Sequence, residues 1–404
     1  MLTEIAAEIA PRELLQDILG EHLADPTAHI SDVEMEPIVT DGYSGNRLYR
    51  ARVAWTGGAL PDVHSATWVL KRWLPGGHGK RLLGVDRPVE VLAWAGGILR
   101  PEAMPAGVVI PVIDARLDPR GDAAWIVMRD VSADLRTYSR ELPLAPAEAV
   151  ARVKHVLDGL ARLHAWWESP HRQARLRRCS GLVPFERFVW CEAASYAAAL
   201  GRTLPAGAAP GSPVTDEFRA DVQAFLAWLP ADDRGVLGTL LYRREPLATA
   251  LRAFPRTLLH GDADDRNIGL RYCAGQTHPG LAGEDAPKLV LIDWEWLAVG
   301  PSALDVARVC GSAAAVCSGS EPRPEALFST ELPDHYFERY RAHGGRLVDR
   351  DLWRRSYGLA FLAGALSQVR FAGSMIRHGV KPVVATFERQ VEMIMPTARS
   401  LAAS

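Results

Sequence analysis

From Val33 to Val131 the apolar residues fall in short alternating runs. VEMEPIV, RLYRARVAW and ATWVLKRW each read as a strand, the first two joined by the turn DGYSGN. A short helix is expected at VEVLAWAGG, and VVIPVIDA and AWIVMRDV add two further strands. Ahead of them, residues 3–24 carry an amphipathic stripe (Ile5, Ile9, Leu14, Leu15, Ile18, Leu23) that is interrupted near Pro11. The pattern predicts a small, mostly antiparallel β unit with one or two helices.

The period then lengthens. LAPAEAVARVKHVLDGLARLHAWW places Val153, Val156, Leu157, Leu160, Leu163 and His164 near one helical face. Further helical stretches follow between residues 180 and 255, interrupted by a Pro/Gly-rich segment from Leu204 to Pro213. Helices are also expected over Ser302–Cys310, Asp334–Arg341, Asp351–Ile376 and Val383–Ala398. Between them lie two short apolar runs, TLLH and KLVLID, separated by the polar loop Tyr272–Pro287. No linker marks off independent domains. The expectation is two lobes hinged near Asp130, an N-terminal lobe over residues 1–130 and a C-terminal lobe over 131–404.

At 404 residues the chain can bury a sizeable core, and its 23% of charged residues is ordinary for a globular protein. A net charge of -2 gives no electrostatic reason to expect nucleic acid or an anionic membrane as partner. The basic run HRQARLRR reads first as a solvated helix face and second as a binding patch. Five cysteines without a C-x-x-C pair favour neither a disulfide framework nor a zinc site. With an acidic N-terminus unlike a signal peptide and no run of membrane-spanning length, the cytoplasm is the expected location.

The informative chemistry lies in LLHGDADDRNIGL and KLVLIDWEW. Asp262, alone, would read as a turn-forming residue beside Gly261. Asn267 five residues on, and Asp293 at the end of LVLID, change the balance. One carboxylate is placed to take a proton from an acceptor hydroxyl, while an amide oxygen and a second carboxylate can hold Mg²⁺. Glu295 reads equally as a second metal-binding carboxylate and as a surface acid. Asp264 and Asp265 read first as solvated loop acids, and second, with Glu295, as contacts for an amine-bearing acceptor. His260 reads as a structural hydrogen-bonder. Arg266 reads as a loop brace or as a neutraliser of phosphate charge.

HGDADDRN with IDWE resembles the aminoglycoside phosphotransferase and choline kinase group, whose patterns are H-G-D-x-x-x-x-N and I-D-[WF]-E. LARLHAWW and GPSALDVARV extend the likeness over most of the chain. The resemblance implies a bilobal, protein-kinase-like α+β fold and an O-phosphotransferase that uses ATP or GTP with Mg²⁺. It makes Asp262 the catalytic base, with Asn267, Asp293 and, as a candidate, Glu295 on the metal. It implies that Lys71 holds the α- and β-phosphates and pairs with Glu90, Glu102 being another acid in the region. Gly42, Ser44 and Gly45 would cover the phosphates, although a plain hairpin turn also explains DGYSGN. Backbone groups of Arg129 and Val131 would meet the purine, and Asp305 would brace the catalytic loop. The acceptor implied is a hydroxylated small molecule, with an antibiotic or related secondary metabolite favoured over choline, homoserine or a sugar. Trp190, Glu192, Tyr196, Tyr336 and Glu338 are candidate pocket residues, though each taken singly reads first as core or surface. The protein is expected to be a monomer or homodimer without nucleic-acid or membrane partners. Two competing readings are a phosphohydrolase using Asp262-Ala263-Asp264 and a non-catalytic nucleotide-binding module.

Overall fold

A computed structural model of the chain describes residues 12–23, 25, 27–39, 45–57, 64–76, 87–118, 123–135, 144–203, 213–272, 286–316 and 327–403. The first helix, α1 (Arg12–Leu23), precedes the hairpin strands β1 (His29–Ile38) and β2 (Arg47–Thr56). Then come β3 (His64–Trp73), α2 (Val89–Ala95), β4 (Val108–Val109), β5 (Val112–Leu117) and β6 (Ala124–Arg129). Five of these strands form one antiparallel sheet in the order β1-β2-β3-β6-β5.

Strand alternation decides what each sheet face meets. Trp68 and Leu70 of β3, with Trp125 and Val127 of β6, face a small core closed by Leu15, Ile18 and Leu19 of α1. Val69 and Trp73, with Ala124, Ile126 and Met128, face the main core. Lys71 lies between Val69 and Trp73 and therefore projects on that inner side. The first strand starts earlier than the apolar pattern suggests. Gln16 of α1 takes the Ile30 N–H (2.8 Å) and donates to the Ala28 carbonyl (2.7 Å), drawing this stretch into the sheet.

VVIPVIDA is two strands rather than one. Pro111 has no N–H to give a ladder, and the run divides around it. Val108 and Val109 pair in parallel with a strand of the second half, whereas Val112–Leu117 joins the first sheet.

The second half is mainly helical. Its elements are α3 (Pro146–Trp167), α4 (Pro170–Arg178), β7 (Val183–Pro184), α5 (Glu186–Val189), α6 (Ala193–Ala199), α7 (Asp216–Trp228), α8 (Ala231–Leu240), α9 (Glu245–Arg252), β8 (Thr257–Leu259), β9 (Ile268–Arg271), β10 (Lys288–Leu291), β11 (Ala298–Gly300), α10 (Ala303–Val316), α11 (Leu332–Ala342), α12 (Arg350–Ser367), α13 (Val369–Arg377) and α14 (Lys381–Ala402). Two three-stranded sheets, β4-β10-β9 and β7-β11-β8, sit among these helices. The molecule thus has the bilobal α+β architecture expected, a small β lobe and a larger helical one.

Val156, Leu157, Leu160, Leu163 and Trp167 of α3 are buried in the main core, as the helical period requires. The helix expected over 351–376 is two, bent by 53° after Ser367. The bend lays Val369 and Ala372 into the core and brings Arg377 to Asp221 of α7 at 2.6 Å. Among the described residues no single helix is long and apolar enough to cross a membrane; only this bent pair passes on length and composition. Arg244, fully buried, donates to the carbonyls of Leu241, Val189 and Leu366, cross-bracing three segments. Burial lowers its guanidinium to about 10.

Candidate active site

The loop 260–267 connects β8 to β9, and the segment 292–297 connects β10 to β11. Because β9 pairs with β10 and β8 with β11, the two connections run side by side. Ile268 is opposite Leu291, the Ile292 N–H donates to the Asn267 carbonyl (3.1 Å), and His260 Nε2 meets the Ile292 carbonyl (2.8 Å). Asn267 and Asp293 consequently emerge at the same end of one ribbon.

Asp305, at the start of α10, holds the loop from beneath. Its carboxylate accepts from the N–H groups of His260 (2.7 Å) and Gly261 (2.9 Å) and meets His164 Nε2 at 3.2 Å. Burial alone would raise the Asp305 carboxyl, but these partners hold it below the ordinary aspartate value. Gly261 has φ of +83°, and a Cβ there would lie 2.2 Å from the Trp296 carbonyl oxygen. The chain can turn here only without a side chain.

Asp262 follows that turn. Asn267 Nδ2 donates to its carboxylate Oδ2 (3.0 Å) and to its carbonyl (3.1 Å), which fixes the amide toward the loop interior. Arg308 Nη2 reaches Asp262 Oδ1 at 2.7 Å and Asp264 Oδ2 at 3.4 Å. Burial raises the Asp262 carboxyl above its ordinary value; Arg308 opposes the shift, while Asp264 and Asp293 add to it. The result is a carboxylate better suited to accept a proton than an exposed aspartate. Arg308 was not among the residues singled out from sequence. Its signal is its position three residues after Asp305, on the same face of α10.

Asp264 is a buried loop brace rather than a solvated acid. It binds the Arg266 guanidinium (2.7 Å) and the Arg266 backbone N–H (3.0 Å), as well as Arg308. These partners outweigh burial and lower its carboxyl. Two guanidinium groups thus offset the charge that would have suited an amine-bearing acceptor. Arg266 serves as the brace, the first of its two expected roles.

Across the cleft, Lys71 Nζ lies 2.5 Å from both Glu90 Oε2 and Asp293 Oδ1. Lys71 and Glu90 are almost wholly buried, whereas the Asp293 side chain keeps 37% exposure. Burial would lower the ammonium, but Asp293, Glu90 and Glu295 raise it well above the ordinary lysine value. Asp293 shows the reciprocal effect: burial would raise it, and Lys71 holds it low. Glu90 Oε1 also accepts from the Trp294 N–H (2.9 Å), so one carboxylate of α2 meets both lobes. Glu90, not Glu102, is therefore the partner of Lys71; Glu102 is exposed in the turn Pro101–Ala103. Asp293 has φ of +57°, a strained conformation for a residue with a Cβ.

Glu295 is buried rather than on the surface and accepts from Asn46 Nδ2 at 3.1 Å. This contact brings the end of the β1–β2 turn to Glu295, and Asn46 too was missed from sequence. Gly45 is described, with φ of +72°; Gly42 and Ser44 lie outside the described residues.

At the hinge, the Arg129 N–H donates to the Pro111 carbonyl (2.9 Å), and the Val131 carbonyl accepts from the Asp134 N–H (2.9 Å). The expected acceptor-pocket residues divide. Tyr196 and Tyr336 are core residues, the latter 2.7 Å from His164 Nδ1, and Glu338 pairs with Arg350 on the surface. Trp190 and Glu192 are half-buried, and Glu192 adopts φ of +62°. Beside the 260–267 loop, Phe188 stacks on Trp296 at 6.1 Å between ring centres.

The donor set suits Mg²⁺. Asn267, Asp293 and Glu295 carry oxygen atoms of the hard kind, and Mg²⁺ commonly takes one or two carboxylates with phosphate oxygens. Among the described residues no group of three or more His, Cys, Asp or Glu forms a dedicated metal cage.

No family model and no curated protein matches the sequence. Solved structures do resemble it. An aminoglycoside phosphotransferase from Streptomyces rimosus is 16% identical over 89% of this chain and 99% of its own, with a TM-score of 0.44. An amicoumacin kinase, solved with AMP-PNP, Ca²⁺ and its namesake compound, is 12% identical over 98% and 97%, at 0.46. An ethanolamine kinase from Plasmodium vivax is 13% identical over 91% and 83%, at 0.44. At such scores these likenesses carry no argument about chemistry, which rests on the residues of the cleft.

Proposed function

We propose that the chain is a small-molecule O-phosphotransferase that moves the γ-phosphate of ATP or GTP to a hydroxyl group. One observation carries the reading. Lys71 bridges Glu90 and Asp293, while Asn267, at the same ribbon end as Asp293, is hydrogen-bonded to Asp262. Cation, metal ligands and base thus line one cleft.

Lys71 would hold the nucleotide phosphates, and residues 1–130 would form the nucleotide-binding lobe. Asn267 and Asp293, with Glu295, would hold Mg²⁺, which when bound offsets the phosphate charge. Asp262 orients the acceptor hydroxyl. As the acceptor oxygen bonds to the γ-phosphorus, the bond to the β-γ bridging oxygen breaks and the hydroxyl proton passes to Asp262. Catalysis is then mainly placement and charge stabilisation. The pairing of Asp264 with Arg266 and Arg308 weighs against the phosphohydrolase reading, since a buried, doubly paired carboxylate cannot double as an acid.

The acceptor proposed is an antibiotic or related secondary metabolite, with choline, homoserine or a sugar as the other class. The Phe188–Trp296 stack beside the loop suits a ring-bearing compound. We also propose a cytoplasmic monomer or homodimer. The test is a nucleotide-consumption screen over hydroxylated antibiotics, amino alcohols and sugars, with ATP and GTP in parallel. Acceptor-dependent consumption that Asp262→Ala abolishes supports the reading. Nucleotide binding without consumption against any acceptor points to a binding module, and turnover retained in Asp262→Ala removes this residue as the base.

A further inference from the structure

We propose that a cavity between α4 and the C-terminal end of α2 is a second binding site, for a small phosphate-bearing anion. His171, Arg175 and Arg178 are spaced four and three residues apart on one face of α4. With Gly96 and Cys179 they line a cavity of about 350 Å³ on the far side of α2 from Glu90's end.

Among the described residues the charge there is uncompensated. α4 holds His171, Arg172, Arg175, Arg177 and Arg178 within nine residues and has no acid. Among the described residues no carboxylate pairs with His171, Arg175, Arg177 or Arg178; Arg175 Nε instead donates to the Gly96 carbonyl at 3.3 Å. Elsewhere in the fold, partly exposed arginines do find acids, as Arg354 finds Asp334 and Arg252 finds Glu186. The helix C-terminus offsets only part of so much positive charge. Cations held this close repel one another, and an anion among them relieves the repulsion.

The cavity also has a fixed wall. Gly97 has φ of +72°, and a Cβ there would stand 2.0 Å from Arg175 Nη2. The guanidinium therefore lies against the Gly96–Gly97 turn in space that only glycine leaves open. Guanidinium groups match phosphate oxygens in planar, paired hydrogen bonds. A compact hollow favours a small anion over nucleic acid, which needs a long basic track.

The cavity's position gives occupancy a consequence, and this part rests on the function proposed above. Gly96 caps the helix that carries Glu90. An anion drawing Arg175 and Arg178 over that cap would steady α2, and with it the Glu90–Lys71 contact.

The experiment is calorimetric titration with inorganic pyrophosphate, without Mg²⁺, on four full-length proteins: wild type, Lys71→Met and, each on the Lys71→Met background, the pair Arg175→Glu with Arg178→Glu and the pair Arg175→Lys with Arg178→Lys. Lys71→Met, which lacks the lysine proposed to hold nucleotide phosphates, should still bind pyrophosphate. The charge-reversed pair should lose about tenfold or more in affinity, and the lysine pair should keep most of it. If charge reversal unfolds the protein, Arg178→Gln, at an exposed position, carries the test with a smaller loss. Binding that survives charge reversal, binding lost in Lys71→Met alone, or no binding to wild type overturns the proposal. Failure of the phosphotransferase reading shows separately, as no nucleotide consumption in a protein that still binds pyrophosphate through these arginines.

Discussion

Arg308 meets Asp262 at 2.7 Å from one helical turn beyond Asp305, so one helix start both anchors the 260–267 loop and pairs with its half-buried acid. A carboxylate clamped in this way presents one oxygen to Arg308 and the other to Asn267. Its orientation is set before any acceptor arrives, which is what base catalysis by a positioned group requires. Removal of the clamp should therefore damage turnover more than binding. Arg308→Ala is expected to lower kcat by about tenfold or more with little change in the nucleotide KM, and Arg308→Lys should restore part of the loss. A purely structural Arg308 would instead lower the melting temperature and leave kcat per folded molecule unchanged.

Glu90→Gln should separate charge from architecture. The amide oxygen can still accept from the Trp294 N–H, so the fold should persist. Lys71 keeps Asp293 but loses one of its carboxylates. Nucleotide KM is expected to rise by about tenfold, equivalent to ~1.4 kcal/mol. An unchanged KM would show that Asp293 alone positions the ammonium.

Asp305→Asn should weaken the protein in a pH-dependent way. The side chain accepts two backbone N–H groups, and an asparagine turns one of its oxygens into a donor. One orphaned N–H costs about 1–3 kcal/mol. The wild-type carboxyl is held below its ordinary value of 3.8, so its contribution to stability is fully present above that value and fades as pH falls through the lower, folded one. Urea midpoints should differ most near neutrality and converge in acid. A gap that stays constant down to strong acid would rule out the carboxylate as its source.

Gly261→Ala combines positive φ with a collision against the Trp296 carbonyl. Strain of this kind costs roughly 1–3 kcal/mol before any clash is relieved. The loop must shift, and Asp262 with it. We expect a lower melting temperature together with strong loss of turnover; near-wild-type activity would mean that the turn tolerates a side chain.

Chelation should stop nucleotide consumption, and added Mg²⁺ should restore it. Asn267→Ala removes one proposed ligand and the hydrogen bond to Asp262. The Mg²⁺ concentration giving half activity is expected to rise by about tenfold in that variant. Full activity in excess chelator would exclude the metal-dependent mechanism.

Much of this site is local in the chain and could be read there. Asp262 and Asn267 share one eight-residue loop, and Asp293 ends a recognisable apolar run. Lys71 came from the resemblance, and strand period agrees with it, since Val69 and Trp73 flank it on the same face. Arg308 and Asn46 were hidden because their partners are distant in sequence: Arg308 finds Asp262 only after α10 docks under the loop, and Asn46 finds Glu295 only when the lobes meet. Asp264 misled for the same reason, its second guanidinium arriving from another element. Tyr196 and Tyr336 looked like pocket residues because a polar tip in a helical stretch does not say which way the helix will face. The division at Pro111 was signalled by the proline itself, whereas the bend after Ser367 depends on packing against α7, which local preference cannot supply.

Glu90 has only two oxygens, and each grips a different half of the molecule: one the lysine of the sheet, the other the peptide that follows Asp293. The carboxylate therefore works as a latch. A motion that swings α2 outward must unfasten both at once, so Lys71 and the peptide after Asp293 lose their shared anchor together.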